Sequence, residues 1–144
     1  MKIWVVAASA VRARVFETSG RHEPLVEVSD LVNPEQRLPR QELKSDKAAR
    51  AFDKRGGHRH ATQTPVDPKE QVAIRFAKEV VDKLEADLHR KRFAALCVVA
   101  PPHFLGLLRE QMSNALARAV RGDLAKDLTL EDAASVQTHV AHLL

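Results

Sequence analysis

The chain has one cysteine in 144 residues, so it can form no internal disulfide and suits a reducing compartment. Cys97 stands in the apolar run Leu96-Cys97-Val98-Val99, the setting of a small buried side chain rather than of a nucleophile. No apolar stretch approaches the roughly 18 residues that mark a membrane-spanning helix, so membrane insertion is not expected. The opening Met1-Lys2-Ile3-Trp4-Val5-Val6-Ala7-Ala8 has a basic residue before an apolar run, as an export signal does. The run is short and leads into Val11-Arg12-Ala13-Arg14, so it reads as a first strand, and a cytoplasmic location is expected. Glycine-rich phosphate motifs are missing too. Gly56-Gly57 has neither the Gly-x-Gly-x-x-Gly spacing nor a Gly-Lys-Ser/Thr ending, which speaks against nucleotide chemistry. The serines lack a nucleophile-elbow context, and no internal repeat or shift of composition divides the chain. One domain spanning 1–144 is expected.

What is present is ordinary for a self-sufficient domain: 44% hydrophobic and 29% charged residues in a length able to bury a sizeable core. The formal charge of +4 and pI near 9.5 admit an anionic partner, and where the charge lies matters more than its total.

Hydrophobic periodicity assigns the elements. Ile3 to Ala8 is continuously apolar, as a central strand covered on both faces should be. Arg14 to Thr18 reads as its partner, and Leu25-Val26-Glu27-Val28 as a third strand of an antiparallel meander. Asp67-Pro68-Lys69-Glu70 opens a helix, with an N-cap acid, proline at the first helical position and glutamate at the third. Val72, Phe76, Val80 and Leu84, joined by Ala73, Ala77, Val81 and Leu88, give that helix a broad apolar stripe, and His89-Arg90-Lys91-Arg92 closes it with positive charge. Phe93 to Ala100 reads as a buried strand stopped by Pro101-Pro102. A single helix is predicted from Phe104 to Val120, an edge strand from Gly122 to Leu128, and a last helix capped by Thr129. The order β-β-β-α-β-α-β-α implies an α/β fold: a mixed five-stranded sheet with helices on its faces.

Between the third strand and the first helix, from about residue 31 to 66, Pro34, Pro39, Gly56 and Gly57 interrupt every period, apart from a short helical turn read around Lys44 to Phe52. Connections longer than about 12–15 residues are commonly functional or disordered. From Glu35 to His60 this one carries Arg37, Arg40, Lys44, Lys47, Arg50, Lys54, Arg55 and Arg59 against Glu35, Glu42, Asp46 and Asp53. That excess equals the formal charge of the whole chain. It fits either a phosphate-backbone contact surface or a solvated connector whose acids partly neutralise its bases. Gly56-Gly57 can bring main-chain N–H groups close to a ligand, and His58 and His60 add imidazoles that titrate near neutral pH. The two histidines have no Cys or carboxylate nearby at ligand spacing, so neither a metal site nor a cofactor is expected. Pro101-Pro102-His103-Phe104 follows a central strand, where open α/β sheets often place ligands, although the prolines alone would explain the segment.

Trp4-Val5-Val6-Ala7, Arg12 to Phe16, Leu31-Val32-Asn33-Pro34-Glu35, Ser45-Asp46 with Phe52-Asp53, Arg59-His60-Ala61 with Asp67-Pro68-Lys69-Glu70, Arg75-Phe76-Ala77, Val99-Ala100-Pro101-Pro102 with Phe104-Leu105-Gly106, and Lys126-Asp127-Leu128-Thr129 together resemble the bacterial host-attachment protein family. That family is in turn distantly similar to the middle domain of eukaryotic and archaeal peptide-chain release factors, within the ribosomal-protein-like and ribonuclease H-like α/β group. There a basic loop carries Gly-Gly-Gln ahead of a helix containing Arg-Phe-Ala; here Gly56-Gly57-His58 precedes Arg75-Phe76-Ala77. The resemblance implies a cytosolic RNA- or ribosome-associated domain, with rescue of stalled translation or hydrolysis of a peptidyl-tRNA ester as its candidate role. Gly56, Gly57 and His58 would then be catalytic, by positioning and polarising water. Lys44, Lys47, Arg50, Lys54, Arg55, Arg59, His60 and Arg75 would contact ribosome, tRNA or other RNA. The alternative is an interaction protein required for attachment to host cells, with a protein partner and no catalytic activity.

Overall fold

The computed structural model describes residues 1–37 and 67–144. Three strands come first: β1 (Ile3–Ala8), β2 (Arg12–Thr18) and β3 (Val26–Val32), followed by a 3-10 turn at Pro34–Arg37. Helix α1 (Pro68–His89) leads to β4 (Ala95–Val99), then α2 (Pro102–Gln111), α3 (Asn114–Ala119), β5 (Val120–Leu124), α4 (Ala133–Val140) and a closing 3-10 turn at Ala141–Leu143. The strands lie in the order β3-β2-β1-β4-β5. The meander pairs antiparallel, whereas β4 runs parallel to both β1 and β5, giving the expected five-stranded mixed sheet.

Alternation along β1 feeds two cores. Trp4, Val6 and Ala8 face α1, α2 and α3, where Phe76, Val80, Leu84, Phe104, Leu108 and Leu116 close over them. Ile3, Val5 and Ala7 face the other way, packing with Phe16, Cys97 and Val99 against Val136 and Val140 of α4. Every β1 residue is buried, which is why its sequence shows no polar alternation. The expected stripe of α1 is buried as well, except that Leu88 is only partly covered. Burial of the apolar Cys97 thiol pushes its pKa above the ordinary value, as befits a core side chain.

Several boundaries differ from the sequence reading, each for a tertiary reason. The third strand continues to Val32, because Leu31 and Val32 pair with Ala13 and Arg12. The helix expected from Phe104 to Val120 breaks at Met112–Ser113. The Ser113 hydroxyl caps α3 by accepting from Leu116 N–H, and it also hydrogen-bonds Glu85 of α1. Val120 leaves the helix to pair with Leu96, so β5 spans Val120–Leu124 rather than Gly122 to Leu128. Thr129 does not cap the last helix, since its hydroxyl donates to Asp127 and Asp132 does the capping through Ser135 N–H. The helical turn read around Lys44 to Phe52 lies outside the described residues. Among the described residues no helix is long and apolar enough to cross a membrane.

Candidate functional site

The carboxyl ends of β1, β3, β4 and β5 share one edge of the sheet, and the segment between residues 37 and 67 leaves and returns there. This is where open α/β sheets expose their loops to ligands. Its framework is built from short polar residues. Asn33, 2% exposed, donates through Nδ2 to Ala10 O (2.9 Å) and through its backbone N–H to Val11 O (2.8 Å), clamping the end of β3 to the β1–β2 turn. Its Oδ1 accepts from Glu35 N–H, which starts the 3-10 turn.

Two ion pairs then fasten the exits. The Arg75 guanidinium grips the Glu35 carboxylate with Nη2 at 2.8 Å and Nε at 3.2 Å, joining the outgoing chain to the second turn of α1. The hydrogen bond to Glu35 raises the Arg75 pKa above its ordinary value. On the return, Asp67 caps α1 by accepting from Lys69 N–H at 2.7 Å, with Pro68 at the first helical position. Glu70 sits where a capping box would turn it back towards Asp67, yet its carboxylate accepts from His103 Nε2, 2.8 and 2.9 Å away. His103 is the second residue of α2, so this pair ties the starts of two helices together beside the loop exits.

Of the catalytic and RNA-contact residues that the resemblance implies, Arg75 alone falls within the described part, and there it is held by Glu35, while His103 of the Pro101-Pro102-His103-Phe104 segment is engaged by Glu70. Lys44, Lys47, Arg50, Lys54, Arg55, Gly56, Gly57, His58, Arg59 and His60 lie outside the described residues. The pairings Glu35–Arg75 and Glu70–His103 went unread in the sequence: their partners are far apart along the chain, and Glu70 already had a local reading as a cap. Among the described residues no group of three or more His, Cys, Asp or Glu is arranged to hold a metal.

A second feature lies on the α1-side face towards the β5 edge. A cavity of about 380 Å³ is lined by Val98, Leu105, Met112, Ala117 and Val120, with an Arg109–Asp123 ion pair at its polar side. Met112 and Val120, read from sequence as core, line it because the chain breaks between α2 and α3 instead of continuing as one helix.

A family model described as "Protein required for attachment to host cells" matches residues 4–140. No curated protein matches this chain. A solved structure described as "Archaeal protein" aligns with 98% of this chain and 36% of its own length, at 11% identity and a TM-score of 0.45. The chain thus spans little over a third of that neighbour.

Proposed function

Because this chain belongs to the family of proteins required for attachment to host cells, its residues 4–140 matching that family's model, we propose that it acts in attachment as a binding protein rather than as an enzyme. The family match carries this reading. The geometry supports it by supplying a rigid frame, in which Asn33, Glu35–Arg75, Asp67 and Glu70–His103 fasten both ends of the basic segment at one edge of the sheet. With eight bases against four acids from Glu35 to His60, that segment suits an acidic partner surface. Adhesion to host cells by a strain lacking the protein tests the reading. Wild type and a Gly56→Ala/Gly57→Ala/His58→Ala variant should both restore attachment, and a Lys47→Glu/Arg50→Glu variant should not.

A second reading keeps the same segment but gives it RNA, and it rests on the same local charge together with the order of Gly56-Gly57-His58 and Arg75-Phe76-Ala77. In it the partner is the ribosome or a tRNA, and Gly56-Gly57-His58 assists hydrolysis of a peptidyl-tRNA ester in the cytoplasm. Co-sedimentation with ribosomes at low salt, and loss of peptide release in the Gly56→Ala/Gly57→Ala/His58→Ala variant, would favour it over the first.

A further inference from the structure

The opposite end of the sheet carries a basic surface of described residues, built around the exit of α1. Helix α1 ends in a Schellman-type turn: Arg92 N–H donates to Asp87 O and Lys91 N–H to Leu88 O, both at 2.9 Å. Such a turn needs a left-handed residue at its penultimate position, where glycine is the usual occupant. Here that residue is Lys91, with φ of 61°. A lysine held in a conformation better suited to glycine is a cost that local folding does not require. Nor does the helix dipole require it, because His89 and Arg90 already place positive charge at the negative end.

The neighbouring charges are organised, not scattered. Asp87, 4% exposed, lies 2.9 Å from Lys83, 3.6 Å from Arg90 and 3.6 Å from Arg92, and so holds three cations around one buried carboxylate. Arg90 and Arg92 keep more than 60% of their side chains exposed, and Lys91 is exposed between them. Lys2 joins this end of the sheet, its carbonyl accepting from Ala94 N–H and its ammonium 3.7 Å from Glu17. Two exposed apolar side chains accompany the cations: Met1, 76% exposed, and Val26, 58% exposed and paired with Glu17 across β2 and β3. The described aromatic side chains, Trp4, Phe16, Phe76, Phe93 and Phe104, are all buried, so none of them offers a platform for stacking nucleic-acid bases.

We propose that this pole is a docking surface for an anionic phospholipid bilayer, with Lys2, Arg90, Lys91 and Arg92 among the headgroup phosphates and Met1 and Val26 at the interface. Cations beside small exposed apolar groups are the combination that peripheral contact with an anionic membrane uses, each basic residue adding to the attraction. The inference is independent of the attachment reading, which concerns the other end of the sheet.

Vesicle flotation of the full chain tests it, using phosphatidylcholine vesicles with and without roughly one third phosphatidylglycerol. Wild type should float with the anionic vesicles at about 50 mM salt and not at about 500 mM. Lys2→Gln/Lys91→Gly should weaken that binding by about 25-fold, taken as about fivefold per charge. A charge-matched control at the other end of the sheet, Lys69→Gln/Lys126→Gln, should change it less than about twofold, because charges more than a Debye length from the bilayer are screened. Lys91→Gly alone should raise Tm by roughly 2–4 °C, since glycine takes the left-handed conformation without the cost that lysine carries. The proposal fails if wild type ignores anionic vesicles at low salt, if both double variants lose binding equally, or if Lys91→Gly lowers Tm. It is also overturned if single-stranded RNA binds more tightly than the vesicles and is lost in Lys2→Gln/Lys91→Gly, which would make the surface a nucleic-acid site.

Discussion

Arg75 and Glu35 stand 40 residues apart in sequence and meet in a two-pronged ion pair at the edge of the sheet. Between them runs almost the entire basic segment. The pair binds its exit to α1, the longest helix among the described residues, and not to a free strand end. Both side chains are largely exposed, at 55% and 40%, so screening by solvent and salt limits what the pair adds to global stability.

A double-mutant cycle with Glu35→Gln and Arg75→Gln should therefore show a small favourable coupling at low salt that fades as salt rises. Urea unfolding of the four variants at two salt concentrations measures it. Coupling that stays constant with salt would show that the two residues interact by packing rather than by charge.

A second pair of ion bridges crosses β2 and β3, Arg12 with Asp30 and Arg14 with Glu27. The hydrogen bond from Arg12 holds the Asp30 pKa below its ordinary value, and that from Arg14 does the same for Glu27. A carboxylate whose pKa is lower folded than unfolded stabilises the fold above its unfolded pKa, and that stability is lost as pH falls through the folded value. Tm should hold near neutral pH and decline below about pH 4, where ordinary carboxylates begin to protonate. Asp30→Asn should lower Tm at pH 7 and flatten the decline. Thermal melts from pH 7 to pH 2.5 check both, and an unaltered acid slope in Asp30→Asn would contradict the assignment.

Phe76 is 1% exposed and its ring lies 6.1 Å from that of Phe104, at the junction of α1, α2 and the sheet. Truncation there removes dispersion contacts and leaves a cavity that two helices and a sheet can only partly close. Phe76→Ala should cost about 3–5 kcal/mol in urea unfolding, whereas Val28→Ala, on the exposed part of β3, should stay within about 0.5 kcal/mol. Similar losses at both positions would contradict the packing described.

Cys97 is fully buried, with a pKa raised by burial, and its Sγ lies 3.9 Å from Leu143 O. A thiol reagent at pH 8 should modify the native protein roughly a hundredfold more slowly than the urea-unfolded chain, since reaction requires exposure and a thiolate. Rapid native labelling would place Cys97 outside the core.

Much of this architecture can be read from local pattern. The apolar runs of β1 and β4 announce strands buried on both faces, and Asp67-Pro68 marks the first turn of α1 within a residue. Where the reading went astray, a distant partner outweighed a local rule. Val120 follows a run of good helix formers, yet pairing with Leu96 turns it into a strand, and Ser113 looks like a polar-face residue until it caps α3. Thr129 and Asp132 are both good capping residues three apart, and the choice falls to Asp132 because Asp127 engages the threonine hydroxyl. Glu70 matched a capping box and instead found His103. For the candidate site, the sequence identified the basic segment by its charge and Arg75 by resemblance. The clamps at its base escaped notice because each joins residues that only the folded sheet brings together.

The adhesion assay bears most directly on whether this family member works by binding. Host-cell attachment by the deletion strain should be restored by wild type and by Gly56→Ala/Gly57→Ala/His58→Ala, and should stay low with Lys47→Glu/Arg50→Glu expressed at equal level. Loss of attachment with the Gly56→Ala/Gly57→Ala/His58→Ala variant, together with full rescue by the charge-reversed one, would contradict the proposal and move the function to chemistry at Gly56-Gly57-His58.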